Sequence, residues 1–295
     1  MAEEGFSLAQ RSAWARPSRS TDSQKGIAML KLTLAALLAI SPSLVVAVEP
    51  STHALQRIGH AGYAFPSAAN TQGAYGAYFK TKLVLTNPTL SELTIDIYLA
   101  TPAGSLRAWN TKIAAATTLQ WDNFLEGLGG YYGGAGFLLI ERTQSKAFYA
   151  SAEVYAENAN GKFTTPLVGM STADSVVNTA KGDTGWSMVQ GLQVNSSNRA
   201  NFGCANFSNY TARVQADLYN ETSSGVGNPT KRVTVDLPAW GWAQQSVPFS
   251  GEQINILFSV VSGGTTDWTF CYGVNVNNQS KDGTLRPAYW GPLQY

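Results

Sequence analysis

Across most of the chain the apolar residues recur at every second position, in runs of five to eight residues, which is the period of a half-buried β-strand. In Leu93-Thr94-Ile95-Asp96-Ile97-Tyr98-Leu99 the aliphatic side chains point to one face, and Thr94, Asp96 and Tyr98 to the other. Lys231-Arg232-Val233-Thr234-Val235-Asp236-Leu237 follows the same rule. From residue 48 onward no segment sustains the 3.6-residue stripe of an amphipathic helix. Turn clusters punctuate the runs: Asn87-Pro88, Thr101-Pro102-Ala103-Gly104, Asn160-Gly161, Gly225-Val226-Gly227-Asn228-Pro229 and Asp282-Gly283. Such spacing predicts antiparallel strands in two sheets packed on an apolar middle.

The pattern repeats. TKLVLTNPTLSELTIDIYLAT from residue 81 matches ANFGCANFSNYTARVQADLYNET from residue 200 at an offset of 119, so Asn87 falls on Asn206 and Leu93, Ile95, Ile97, Leu99 on Ala212, Val214, Ala216, Leu218. A second match, at an offset of 122, places Phe148 on Phe270, Val154 on Val276 and Gly161 on Gly283. The sequence therefore predicts an all-β protein of two tandem antiparallel β-sandwich domains, Ig-like or jelly-roll-like, spanning 48–182 and 183–295. Residues 171–185, rich in Ser, Thr, Ala, Asp and Gly, read as the linker, with the boundary near residue 182. This order of strands, Asn-Pro turn, alternating strand and Ala-Ser-x-Val-like strand ending in Asn-x-Gly resembles the tandem β-sandwich proteins secreted by environmental bacteria. More faintly, each copy resembles the β-sandwich transducer of a bacterial sensory rhodopsin. The resemblance spans about residues 60–290, implies fold and secretion, and carries no catalytic residues; Phe207 departs from it where the first copy has Pro88.

Residues 29–47, MLKLTLAALLAISPSLVVA, have a signal-peptide layout, with Val45 and Ala47 suited to the pockets that precede cleavage and Val48 as the mature start. The apolar run breaks at Ser41-Pro42, short of the roughly 20 residues of a spanning helix. Residues 1–28 are polar and unlike the front of a signal peptide, which suggests that Met29 is the true start.

Composition narrows the function. Of 295 residues only 13% are charged, against a usual figure of about 25%, and 44% are hydrophobic. Removing residues 1–47 leaves 15 basic and 16 acidic residues, so no cationic surplus exists to neutralise a phosphate backbone, and nucleic acid is not an expected partner. The two cysteines, Cys204 and Cys271, are expected to pair in an oxidising compartment. The alternation as aligned puts Cys204 on an inward face and Cys271 on an outward one, so pairing requires a bulge or a different register.

Catalytic chemistry has few carriers. The only histidines, His53 and His60, lie near the mature start without a Cys or acidic cluster to complete a triad or a zinc site. Glu141, Glu153 and Glu157 are the carboxylates a glycosidase would draw on, yet they read as solvated charges, and Asn275 replaces Glu153 in the second copy. EVYAENANG from Glu153 and NNQSKDG from Asn277 lack an ordered calcium-loop spacing and read as turns that bond their own backbone. GLGGYYGGAG, residues 127–136, has no phosphate-binding Lys-Ser or Lys-Thr and reads as a mobile loop displaying Tyr131 and Tyr132. Sequons begin at Asn195, Asn206, Asn209, Asn220 and Asn278.

Aromatic residues are the remaining lead. Trp240 and Trp242 stand two apart beside a turn, which in extended geometry puts both on one face. Flat rings of this kind stack on sugars, with Gln244, Gln245 and Asn275 as polar neighbours; the alternative is that the indoles pack against the core or the other domain. The sequence is thus expected to encode an exported, non-catalytic surface or extracellular protein, secreted or periplasmic, acting in adhesion, matrix assembly or envelope binding. Its expected partner is a cell-surface or extracellular polymer, with self-association as a second mode, and no cofactor or metal is implied. A carbohydrate-binding module pair using Trp240, Trp242, Gln244, Tyr131 and Tyr132 is the alternative, and a glycan-active hydrolase a third reading.

Overall fold

The alternating runs form strands. The structure, a computed structural model, describes residues 62–73, 77–127, 130–158, 161–171, 186–220, 228–263, 268–280 and 282–291. The leader, the signal segment, His53, His60, turn residues Asn160 and 225–227, and the linker from residue 172 with its boundary near residue 182 lie outside the described residues, whereas Ser171 belongs to a strand. The first half contains β1 (Gly62–Gln72), β2 (Tyr78–Asn87), β3 (Leu93–Ala100), β4 (Leu106–Ile113), β5 (Thr117–Trp121), β6 (Gly134–Arg142), β7 (Tyr149–Asn158), β8 (Gly161–Leu167) and β9 (Met170–Ser171), with a one-turn helix α1 (Phe124–Gly127) before β6. The second contains β10 (Trp186–Val194), β11 (Asn198–Asn206), β12 (Ala212–Asn220), β13 (Lys231–Leu237), β14 (Trp242–Ser246), β15 (Gly251–Gly263), β16 (Thr269–Asn277), β17 (Gly283–Pro287) and β18 (Tyr289–Gly291).

Each half is a pair of antiparallel sheets, and the strand order is the same in both. In the first half β4-β3-β6-β1-β9 forms one layer and β5-β2-β7-β8 the other, joined where Thr71 and Gln72 of β1 pair with Phe79 and Tyr78 of β2. In the second half the layers are β13-β12-β15-β10-β18 and β14-β11-β16-β17. The protein is all-β, of sandwich type, and the inward set predicted for β3 and β12 is buried in both copies.

Local devices repeat as well. β1 shifts register between Phe65 and Ala68 through Ser67 at φ 62°, and β10 shifts between Val189 and Leu192 through Gly191 at φ 70°. Asn87 and its counterpart Asn206 are both buried and act as clamps. The Asn87 side-chain amide donates to the carbonyls of Ser91, Ile113 and Ala114, and that of Asn206 to those of Tyr210 and Pro238. Each clamp ties the turn after its own strand to the turn before β5 or β14. Asn206 therefore begins a sequon whose amide is engaged inside the fold.

Register corrects the second sequence match. Thr86 pairs with Tyr149, and Ala205, which is Thr86 shifted by 119, pairs with Phe270, so β16 matches β7 at 121 rather than 122. A slip of one residue exchanges the two faces of a strand. At 121 Cys271 corresponds to inward Ala150, not to Tyr149. Cys204 and Cys271 are then directly opposed in register, both buried in the core of the second half, and form the disulfide.

One core belongs to the second half alone, with Phe202, Phe258, Ile254, Ile256 and the disulfide. The other is shared: Ala205, Phe207, Phe270, Tyr272 and Leu285 of the second half join the buried cluster of the first. Sheet β14-β11-β16-β17 thus faces two cores, one on each side.

Candidate functional site

Two versions of one sheet face can be compared position by position, because the strand order and the Asn clamps fix the equivalence. In the second half the outer face of β14-β11-β16-β17 is built from Ala205, Trp242, Phe270, Tyr272 and Val274, flanked by Phe207, Trp240 and Trp268. In the first half the register places Thr86, Thr118, Tyr149, Ser151 and Glu153, flanked by Pro88, Ala116 and Ala147, at those same positions. Apolar residues occupy one copy of the face and mainly polar or small residues the other.

The apolar copy is docked on the first half. Phe137 of β6 meets Phe207, Phe270 and Tyr272 with ring centroids 5.8, 6.1 and 6.0 Å apart. Trp240, Trp242 and Trp268 are half-buried against the same cluster. Tyr272, fully buried, carries a hydroxyl that accepts from Ser67 Oγ at 2.8 Å and Trp242 Nε1 at 3.3 Å and donates to Gln244 Oε1 at 2.7 Å. Burial, opposed by the Ser67 and Trp242 hydrogen bonds, raises its pKa above the ordinary tyrosine value. The backbone joins in, since Thr101 and Gly241 form a bridge and the Trp242 amide donates to the Thr101 carbonyl at 3.1 Å. Trp240 holds φ at 55°, a left-handed conformation in which its amide donates to the Ser208 carbonyl. Ala116, its counterpart, has φ 51° and donates to Thr89, the counterpart of Ser208, so the turn is inherited from the repeat rather than made for the indole.

The polar copy faces away from its own core. Lys80 and Lys82 of β2 pair with Glu157 and Glu153 of β7 at 3.5 and 3.8 Å. Between them Tyr155 lies beneath the Lys162 ammonium, 4.0 Å from its ring centroid, and donates its hydroxyl to the Asp122 carbonyl at 2.9 Å. Thr86 and Thr118 share a hydrogen bond of 2.9 Å. Tyr149 is 62% exposed at the end of this face, next to the turn that carries Leu90 at 94%.

The other sequence candidates are dispersed. Tyr131 packs on the first core with the Arg107 guanidinium 5.7 Å from its ring centroid, while its carbonyl accepts from the Asn70 amide; Tyr132 is exposed. The Asn275 side chain accepts from the Gln193 backbone amide, and Asn277 bonds the amides of Gln279 and Ser280 in a turn. Glu153 and Glu157 lie on β7, whereas Glu141 lies on β6 in the other sheet. Contrary to its reading as a solvated charge, Glu141 is buried, opposite Asp96 in register, with Oε1 unpartnered among the described residues. Burial first, and Asp96 second, push its carboxyl up to about 7.

Among the described residues no three His, Cys, Asp or Glu side chains are gathered to hold a metal ion, and no helix is long and apolar enough to cross a membrane. The disulfide is compatible with an extracellular or periplasmic compartment. No protein-family model, curated protein or solved structure matches the chain. The sequence carries a signal of the docked face that the alternation rule does not detect. Thr269 to Val274 is apolar almost without alternation, as in strands covered on both faces.

Proposed function

We propose that the chain is an exported, non-catalytic protein that works by docking a sheet face on a macromolecular partner, in adhesion, matrix assembly or envelope binding. The observation that carries this reading is the duplicated face: one copy is occupied by the neighbouring sandwich, and the other, on β5-β2-β7-β8, is free among the described residues. A surface that this fold already uses for sandwich-to-sandwich contact is the natural place for an external partner. Its polar character suits a partner that associates after folding, since paired charges and hydroxyls stay soluble when the face is bare. The signal segment and the disulfide support export. The sugar-binding alternative draws less support, because Trp240 and Trp242 are used in the junction and Gln244 is engaged by Tyr272.

A binding assay tests the reading. The chain from Val48 to Tyr295 is incubated with cell-envelope fractions, insoluble polysaccharides and extracellular polymer, beside a Lys82→Ala, Tyr149→Ala double variant. Retention of the wild type and its loss in the folded variant supports docking through this face. Equal retention of both, or none of the wild type, removes it.

A further inference from the structure

We propose that the partner of the free face is a second copy of this chain, seated face to face across a two-fold axis that runs along the strands between β2 and β7. The proposal rests on the docking reading above and names its occupant. The charge pattern is self-complementary under that operation. Lys82 lies directly across from Glu153 in register, and Lys80 lies across from Tyr155 and reaches Glu157 diagonally, so both lysines of this pair of rows are on β2 and both carboxylates on β7. A two-fold axis parallel to the strands sets β2 of one copy over β7 of the other at the same height. Lys82 of each copy then meets Glu153 of its mate, and Lys80 lies over Tyr155 of the mate, with Glu157 one outward pair further along, which is the isologous arrangement of a closed dimer.

The rest of the face allows that approach. Beyond the charged rows the next positions are Val84 opposite Ser151 and Thr86 opposite Tyr149, with Thr118 bonded to Thr86. Short side chains let two sheets come to the roughly 10 Å spacing of a sandwich, and the exposed Tyr149 supplies an apolar anchor near the end of the contact. Four strands about 4.8 Å apart and some eight residues long cover on the order of 500 Å² per copy, about 1,000 Å² in all. That area sits at the lower limit for a specific interface, so the dimer is weak and depends on concentration. Rotation about one axis uses the face once in each copy, so association stops at two.

The test is sedimentation equilibrium of residues 48–295 from about 1 μM to about 1 mM, a range that brackets weak association. A reversible approach to dimer mass is the expected result. Lys82→Glu alone and Glu153→Lys alone each weaken dimerisation by about tenfold or more, because like charges then face each other across the axis. The double variant restores it, since each new glutamate meets the partner's new lysine. Thermal melting of all four proteins separates this pattern from loss of fold. A mass that stays monomeric at every concentration, single variants that dimerise like the wild type, or growth past the dimer overturns the proposal. The envelope and polymer assay on the same samples separates the two levels. A monomer still retained through this face loses only the second copy as partner, whereas a monomer retained by nothing loses the docking reading too.

Discussion

Cys204 and Cys271 stand directly opposite one another on neighbouring strands β11 and β16, with Cα atoms 4.1 Å apart, so the disulfide staples one sheet across its ladder instead of bridging two sheets. The stapled sheet is the one that faces both cores. Closing a loop over a separation of 67 residues stabilises by about 4 kcal/mol in the chain-entropy model. A Cys204→Ala, Cys271→Ala variant is expected to lose stability of that order. Urea denaturation with and without reductant checks it: the wild type weakens in reductant and the variant does not respond.

The junction predicts a graded pair of effects. Phe137→Ala leaves Phe207, Phe270 and Tyr272 facing a cavity and costs about 3–5 kcal/mol. Tyr272→Phe keeps the ring and removes only the hydroxyl, leaving Ser67 Oγ, Trp242 Nε1 and Gln244 Oε1 without that partner, at a cost of about 1–3 kcal/mol. Tryptophan emission during unfolding checks both, and the Phe137 variant should show the larger shift of midpoint.

Glu141 makes stability depend on pH in the direction opposite to a salt-bridged carboxylate. Its native pKa is raised from 4.5 to about 7, so the native state holds a proton that the unfolded chain releases. Stability is full below about pH 4.5 and falls as pH rises through 7, by on the order of 3 kcal/mol in total. Glu141→Gln removes the titrating group. Melting temperatures from pH 4 to pH 8 should show the variant close to wild type at the acid end and increasingly above it toward pH 8.

The Asn clamps can be weighed against an exposed neighbour. Asn206→Ala strips the carbonyls of Tyr210 and Pro238 of a buried donor and is expected to cost about 2–4 kcal/mol. Asn209→Ala, three residues along and exposed, should stay within about 0.5 kcal/mol of wild type. Denaturation midpoints of the two variants decide whether position 206 is a clamp.

Much of this architecture was legible from alternation, because a strand with one wet face writes its burial into every second residue. Leu93 to Leu99 and Ala212 to Leu218 point where the pattern put them. Legibility failed at β16. Phe270, Cys271 and Tyr272 are buried on both sides, so no polar residue marks the outer face, and Phe148 with Phe270 and Gly161 with Gly283 drew the alignment one residue out of register. With the register corrected, the exchange of Tyr149 for Phe270, Ser151 for Tyr272 and Glu153 for Val274 is visible in the sequence itself. What no alternation contains is the surface that covers such a face. Trp240 and Trp242 look the same in a sequence whether they meet a sugar or the shared core.

The central claim is that one sheet face exists twice, docked in the second half and, among the described residues, bare in the first. Hydroxyl-radical footprinting of the intact dilute chain, read residue by residue by mass spectrometry, tests it without any substitution. Tyr149 is predicted to oxidise rapidly, while Phe270 and Tyr272, its counterpart and the next outward residue along β16, stay protected and Trp242 reacts more slowly than its indole ordinarily would. Oxidation of Phe270 and Tyr272 as rapid as that of Tyr149 would contradict the claim.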